Sequence, residues 1–315
     1  MNRRDVIIVG GGPAGLTAGL YAARGLLDVM LIRGGLPVCQ AITTDIIENY
    51  PGFPDGIDGP DLVARMEQQA RRFGLEIVER AVESLREEDG GFVVETDRDA
   101  FHARAVVVAT GAAPRSLGVP GESQFRGRGV SYCATCDGAF FTDAVVAVVG
   151  GGDAAVKEAV FLTRFASKVY LIHRRDQFRA EPVLVRTARD NPKIEFVLDH
   201  VMTQVNGDNL VDAVTIRNVR TNEESRLNVE GVFIFTGIRP NSDIAAPLVD
   251  TDGQGFILTD REMATSRPGI FAAGDVCQKH LRQVVTAVAD GAVAIESIER
   301  YLAESRQKVH PAATR

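Results

Sequence analysis

The sequence predicts an α/β protein made of two Rossmann-like dinucleotide-binding domains, the second inserted into the first. Three observations carry this. A strand, a glycine-rich turn and a helix occur in that order near the N-terminus and again at mid-chain. Each copy is closed later by a strand running into Thr-Gly. The residues left after the second copy are too few for a domain of their own.

The first copy begins with the buried strand Val6-Ile7-Ile8-Val9. Gly10-Gly11-Gly12-Pro13-Ala14-Gly15 follows and opens a helix from Leu16 to Arg24. Gly10 permits a tight turn, Gly12 lets backbone approach a pyrophosphate, and Gly15 lets helix pack on strand. Free N–H groups at the helix start then face the phosphates. A second strand, Val29 to Ile32, ends in Arg33, where this fold usually has an acid for a ribose hydroxyl. Residues 34–60 read as a loop long enough to hint at function. A helix is expected from Leu62 to Phe73. Residues 75–108 alternate like strands, with a turn at Asp89-Gly90-Gly91. Ala105 to Ala109 then enters Thr110-Gly111-Ala112-Ala113-Pro114.

The second copy runs from strand Ala144–Val149 through Gly150-Gly151-Gly152-Asp153-Ala154-Ala155 into a helix. Its next strand, Lys168 to Ile172, ends in His173-Arg174-Arg175. Val232 to Phe235 enters Thr236-Gly237-Ile238-Arg239-Pro240. After that come a strand over Gly269–Ala273, then Gly274-Asp275, and a helix from about Arg282 to Leu302. The economical arrangement returns this tail to the first domain. The expected division is 1–115 plus 243–315 for one domain and 116–242 for the other, with crossings near 115 and 243 acting as a hinge.

Composition narrows the function classes. Apolar residues make up 45% and charged residues 24%, which is ordinary for a globular chain. Lys plus Arg number 35 against 42 Asp plus Glu, a net charge of −7, which gives no whole-protein electrostatic case for nucleic acid. No apolar run approaches the roughly 18 residues of a membrane helix. Arg3-Arg4 precedes a strand, not a signal peptide, and a cytoplasmic location is expected. Four cysteines do not make a secreted disulfide framework, and a CxxC in such a chain reads as redox or metal.

That CxxC is Cys133-Ala134-Thr135-Cys136, followed by Asp137. Two thiols at this spacing can close and reopen a disulfide and so hold two electrons. A carboxyl beside them can move the accompanying protons, although Asp137 also reads as an ordinary turn carboxylate. His173, Arg174, Arg175 and Arg179 follow the second turn, and guanidinium forks fit a 2′-phosphate, which points to NADPH there. The first domain lacks such a cluster. A hydride carrier that can reduce a disulfide is still needed, and flavin does this, so FAD is expected in the first domain. Asp275 follows a glycine at a strand end, where a carboxylate can hold a sugar-like hydroxyl or cap a helix.

The chain resembles the low-molecular-weight thioredoxin reductases over nearly its whole length. The motifs are Gly10 to Gly15, Glu48-Asn49-Tyr50-Pro51-Gly52, Ala109-Thr110-Gly111, Cys133 to Gly138 and Gly150 to Ala155. To these add His173 to Asp176 with Phe178-Arg179-Ala180, Ala272-Ala273-Gly274-Asp275-Val276, and Arg282-Gln283. The resemblance implies FAD in the outer domain and NADPH in the inserted one. It also implies a homodimer and a large rotation between domains. That rotation would alternately bring the nicotinamide to the flavin and present the reduced cysteines to thioredoxin or a thioredoxin-like protein. It implies Cys136 as the flavin-facing thiol, Cys133 as the thiol that attacks the partner disulfide, and Asp137 as the acid–base group. Gln40, Asn49, Asp275, Arg282 and Gln283 would contact FAD.

Two departures stand out. Val38-Cys39-Gln40 replaces the family's usual Gly-Gly-Gln, with Gly34-Gly35 set earlier, and Lys157 stands where relatives often have Glu. Cys39 and Cys277 are additional thiols beside flavin motifs, read as buried small residues or as a second redox pair. A zinc module and a non-catalytic flavoprotein are the readings from other classes. A yellow protein excludes the first, and loss of disulfide reduction in cysteine variants excludes the second.

Overall fold

The computed structural model describes residues 3–34, 39–43 and 46–309. Gly35 and Val38 therefore lie outside the described residues. The chain divides into two compact units, Met1–Ala113 with Arg239–Arg315, and Pro114–Ile238. Short strands Ala112–Pro114 and Ile238–Pro240 pair with each other where the chain passes from one unit to the other.

In the first unit, strand Arg4–Val9 lies between two parallel partners. Val6 faces Val29 on one side and Ala105 on the other. Val6, Ile7, Ile8 and Val9 are all buried because helices and loops cover both faces of the sheet. Val6 and Ile8 join a cluster with Leu16, Ala18, Ile295 and Ile298 from helices Pro13–Arg24 and Val284–Val309. Ile7 and Val9 point the other way, into a cluster with Phe92, Val94, Val249 and Ile257. Each such side chain contributes about 1.5–3 kcal/mol of burial. Strands Val82–Glu88, Gly91–Thr96 and Ala100–Val108 form an antiparallel meander. It turns at Asp89 and Gly90, both at positive φ. Strand Ile270–Ala272 pairs in parallel with residues 106–108, so the tail belongs to this unit's sheet. Gly291 lets the last helix approach closely, since a Cβ there would meet the Ala14 carbonyl oxygen at 2.3 Å.

Part of the stretch expected as a loop carries secondary structure. Gln40–Thr43 is a 3-10 turn, and Ile46–Ile47 pairs antiparallel with Ile57–Asp58. The following helix begins at Gly59, ahead of the expected Leu62. Asp58 caps it by accepting from the Asp61 N–H, and Pro60 presets the first turn. Ile47, Ile57 and Leu62 bury together and hold the hairpin down.

The second unit has the parallel order Val130–Ser131, Gly231–Phe235, Val145–Gly150, Lys168–His173, Ile194–Leu198. Its central strand is also apolar on both faces. Val146 and Val148 pack against Val156, Ala159 and Leu162 of helix Asp153–Leu162. Ala147 and Val149 pack against Met202, Val205, Val214 and Ile216. Those residues come from an antiparallel sheet of His200–Gly207, Val211–Asn218 and Glu224–Asn228 that takes the place of a second helix layer. This sheet and helix Pro182–Arg189 are elements that the motif pattern does not reveal.

Candidate active site

Cys133 and Cys136 are joined by a disulfide across a Cα–Cα distance of 5.3 Å. They flank the one-turn helix Ala134–Asp137. Cys133 sits at its N-cap, where its sulfur accepts the Cys136 N–H at 3.2 Å. Ala134 is buried and anchors the turn to the unit's core. Gly138 has no room for a side chain to spare, with Leu162 and Phe165 3.3 Å from where a Cβ would stand. Both cysteines and Asp137 are partly accessible, and Thr135 is exposed. A thiolate formed here would lie beside backbone N–H groups that favour negative charge.

The approach to this turn is held by a carboxylate that sequence reasoning misses. Glu122 is 3% exposed, yet it accepts from the Leu117 and Gly118 N–H groups at 2.9 and 2.7 Å. Tyr132, the residue before Cys133, also donates its hydroxyl to Glu122 at 2.6 Å. Burial first, and then Glu122, push the Tyr132 phenol well above its usual range.

The two glycine turns are built alike. A Cβ on Gly10 would stand 2.2 Å from the Ala109 carbonyl oxygen, and one on Gly150 would stand 2.5 Å from that of Phe235. In each case the residue struck lies just before the closing Thr-Gly. A Cβ on Gly15 would meet the Gly10 carbonyl oxygen at 1.9 Å, whereas Ala155 occupies the matching place in the second turn. Pro13, Ala14 and Gly15 open the first helix, and Asp153, Ala154 and Ala155 open the second. Gly12 and Gly152 are the respective N-caps.

Beside the first turn, Gly274 adopts a positive φ, and a Cβ there would meet Ala14 at 2.9 Å. Its N–H donates to Asp290 at 2.9 Å, and Asp290 also pairs with Lys279. Asp275 Oδ1 is buried and has no hydrogen-bond partner among the described residues. Burial raises its carboxyl above the usual range, against the pull of Lys279 and Arg282. It is not a helix cap, because the next helix starts at Val284. Arg282 turns inward. Its guanidinium donates to the carbonyls of Lys279 and Cys277 at 3.0 and 3.2 Å and lies 4.1 Å from the Phe256 ring centre. Asn49 and Gln283 meet at 3.0 Å, and Gln40 donates to the Ala112 carbonyl. Thr110 and Gly111 are tied to Asn241, which no motif marks. Thr110 Oγ1 donates to the Asn241 carbonyl at 2.6 Å, and the Asn241 side chain and N–H donate to the carbonyls of Thr110 and Gly111, both at 2.9 Å. Arg33, standing where an acid is usual, pairs with Glu67 and Glu79 at 2.6 and 3.1 Å. The unpartnered Asp275 Oδ1 near a glycine-lined helix start fits a dinucleotide that brings a hydroxyl donor and a pyrophosphate.

The second turn is open. A Cβ on Gly152 would meet nothing within 4 Å. Asp153 accepts the Glu181 N–H at 2.8 Å. The Arg179 N–H bonds to the Gly151 carbonyl at 2.8 Å, which holds the arginine segment beside the turn. Arg174, Arg175 and Arg179 are exposed, and no ion pair engages them among the described residues. His173 differs from them. It is buried beneath the turn, stacked on Phe178 at 5.0 Å, with its ring filling the space a Gly151 side chain would need. Burial, then the three arginines, lower its pKa.

Cys39 and Cys277 are free thiols. Burial raises both, and Cys277 is pushed up to about 12. Cys39 lies against the first turn, its Cβ 3.3 Å from where a Gly12 Cβ would stand. No group of potential metal ligands is found among the described residues, and no described helix is long and apolar enough to cross a membrane.

This arrangement recurs in known proteins. Residues 4–291 match the pyridine nucleotide-disulphide oxidoreductase family. A thioredoxin reductase of Bacillus subtilis is 44% identical over 96% of this chain and 96% of its own length. A bifunctional thioredoxin reductase/thioredoxin of Mycobacterium leprae is 46% identical over 95% of this chain, which spans 66% of that longer protein. The crystal structure of thioredoxin reductase from Streptococcus pyogenes superposes with a TM-score of 0.92 at 46% identity, covering 96% of this chain and 99% of that one. On these grounds the chain belongs to the pyridine nucleotide-disulphide oxidoreductase family.

Proposed function

We propose that the chain is an NADPH-dependent thioredoxin reductase. The observation that carries this is the Cys133–Cys136 disulfide with Asp137 beside it, in a chain with two dinucleotide turns and relatives that bear that name. Residues 1–115 plus 243–315 form the FAD domain and 116–242 the NADPH domain. Gly10, Gly12, Pro13, Ala14 and Gly15 receive the FAD pyrophosphate. Asp275 holds a hydroxyl, Gln40, Asn49, Thr110, Gly111 and Gln283 line the site, and Arg282 and Gly274 set the loop that carries Asp275. Gly150, Gly152, Asp153, Ala154 and Ala155 receive the NADPH pyrophosphate. Arg174, Arg175 and Arg179 take its 2′-phosphate, and His173 supports them from below.

Bound FAD supplies the two-electron chemistry that links a nicotinamide hydride to a disulfide. The protein's part is thiol and proton chemistry. Cys136 faces the flavin, Cys133 attacks the partner disulfide, and Asp137 supplies and recovers the proton at the leaving thiolate. A rotation about the paired strands Ala112–Pro114 and Ile238–Pro240 alternates the two encounters. The working form is a cytoplasmic homodimer whose partner is thioredoxin or a thioredoxin-like protein.

Anaerobic titration of the yellow protein with NADPH and NADH tests this. One FAD plus one disulfide should accept four electrons per chain. The reduced protein should then reduce a thioredoxin, and NADPH should outcompete NADH. A protein that fills with two electrons, or that leaves thioredoxin oxidised, would refute the proposal.

A further inference from the structure

Ser131 belongs to no motif, yet it is 5% exposed and ends strand Val130–Ser131, opposite Phe233. Its hydroxyl oxygen has three polar neighbours. Asp137 Oδ2 lies at 2.5 Å, the Cys133 N–H donates to it at 3.1 Å, and the Cys133 carbonyl oxygen lies at 3.3 Å. One hydroxyl carries one proton, so it serves one acceptor at a time. The 2.5 Å contact has the length of a charge-assisted O–H···O⁻ bond. When Asp137 is ionised, Ser131 donates to it. When Asp137 is protonated, the carboxyl can donate to Ser131, whose own proton then turns to the Cys133 carbonyl. No heavy atom needs to move between the two states.

We infer that Ser131 is a positioning residue that keeps the Asp137 carboxyl in one place, in both of its protonation states, beside the redox disulfide. The inference rests on the acid–base role proposed for Asp137. In that step the O–H bond of Asp137 breaks as an S–H bond forms on a cysteine thiolate. The carboxylate left behind takes the Ser131 hydroxyl proton as a hydrogen bond. The electrons that opened the disulfide come from the NADPH reaction. Ser131 thus makes Asp137 able to cycle without reorganising, because its donor is preset by a buried strand rather than by mobile water.

The test compares holoenzymes of wild type, D137N, S131A, S131T and S131A/D137N. Two pH profiles are measured: thioredoxin reduction, and iodoacetamide labelling of Cys133 and Cys136 after dithiothreitol reduction. D137N should remove one limb of each profile. S131A should move that same limb upward by about one pH unit and slow turnover about tenfold, because a hydrogen bond to the charged carboxylate is lost. S131T should keep the wild-type limb, and S131A/D137N should match D137N alone. An unmoved limb in S131A, or losses that multiply in the double variant, would overturn the inference while leaving Asp137 its role. A D137N profile identical to wild type would remove the role of Asp137 and this inference together. The double-variant comparison decides the matter even where the threonine methyl is not accommodated.

Discussion

The two glycine turns share a backbone and differ in surroundings. In both, the first glycine abuts a carbonyl just before a closing Thr-Gly, so the turn is locked to the sheet. The first is then walled in. Cys39 lies against Gly12, Gly274 against Ala14, and Asp275, with its unpartnered Oδ1, is held nearby by the Lys279–Asp290 pair and the inward Arg282. The second stays open at Gly152 and is flanked by exposed guanidinium groups over a buried His173. A walled site with a buried carboxylate oxygen suits a cofactor that stays. An open site with exposed cations suits a substrate that must leave each cycle. Under the proposed function, the shared turn would supply phosphate binding and its neighbours would set residence and identity.

The largest expected effect breaks the likeness between the turns. Gly10→Ala combines a φ of +120° with a contact of 2.2 Å to backbone. It should cost about 3–5 kcal/mol by strain and overpacking together, read from the urea midpoint of the apoprotein. Gly152→Ala should leave that midpoint within about 0.5 kcal/mol and instead raise the NADPH KM.

Next comes the arginine cluster. Replacing Arg174, Arg175 and Arg179 by glutamine should raise the NADPH KM about a hundredfold and leave the NADH KM nearly unchanged, since charge-assisted bonds to a phosphate are lost. Equal losses for both nucleotides would mean that the cluster does not read the 2′-phosphate.

Asp275→Asn should weaken FAD retention about tenfold, measured by flavin fluorescence on dilution. The apoprotein gives a pH test of the same residue. Folding raises the Asp275 carboxyl above its unfolded value. The folded state therefore binds the extra proton, and this contribution is present at acid pH and lost as pH rises through the ordinary carboxylate range and beyond. Asp275→Asn should flatten that decline in urea midpoints. A steeper decline in the variant would refute the assigned burial.

The smallest effect concerns the extra thiols. With its thiol pushed up to about 12, Cys277 should stay unlabelled by iodoacetamide at pH 8 until the protein unfolds, as read by peptide mass. Labelling of Cys277 on NADPH reduction would indicate a second redox pair.

Much of this was legible because it is written in local spacing. The runs Val6–Val9 and Ala144–Val149, the glycines after them and the closing Thr-Gly dipeptides have a fixed order, and their repetition exposes the two-fold plan. The Asp89-Gly90 turn was equally local. The hairpin of Ile46–Ile47 with Ile57–Asp58 escapes a sequence reading because two-residue strands leave too short a pattern, although Asp58 and Pro60 are usable signals of an earlier helix start. The antiparallel sheet over 200–228 was missed for another reason. What covers the second face of a buried strand depends on the whole layer, not on the strand.

By itself, then, the sequence determined the two turns, the family and the Cys133–Cys136 pair, since each needs only residues adjacent in the chain. Tertiary structure alone decided which way the side chains near them point. Arg282 faces carbonyls rather than solvent, His173 wedges beneath Gly151, and Asn241 braces Thr110 from 131 positions away. Ser131 reaches Asp137 only because a strand pairing fixes one and a one-turn helix the other. Such contacts depend on partners distant in sequence and on the burial that makes an unpaired polar group costly, and no local pattern records either.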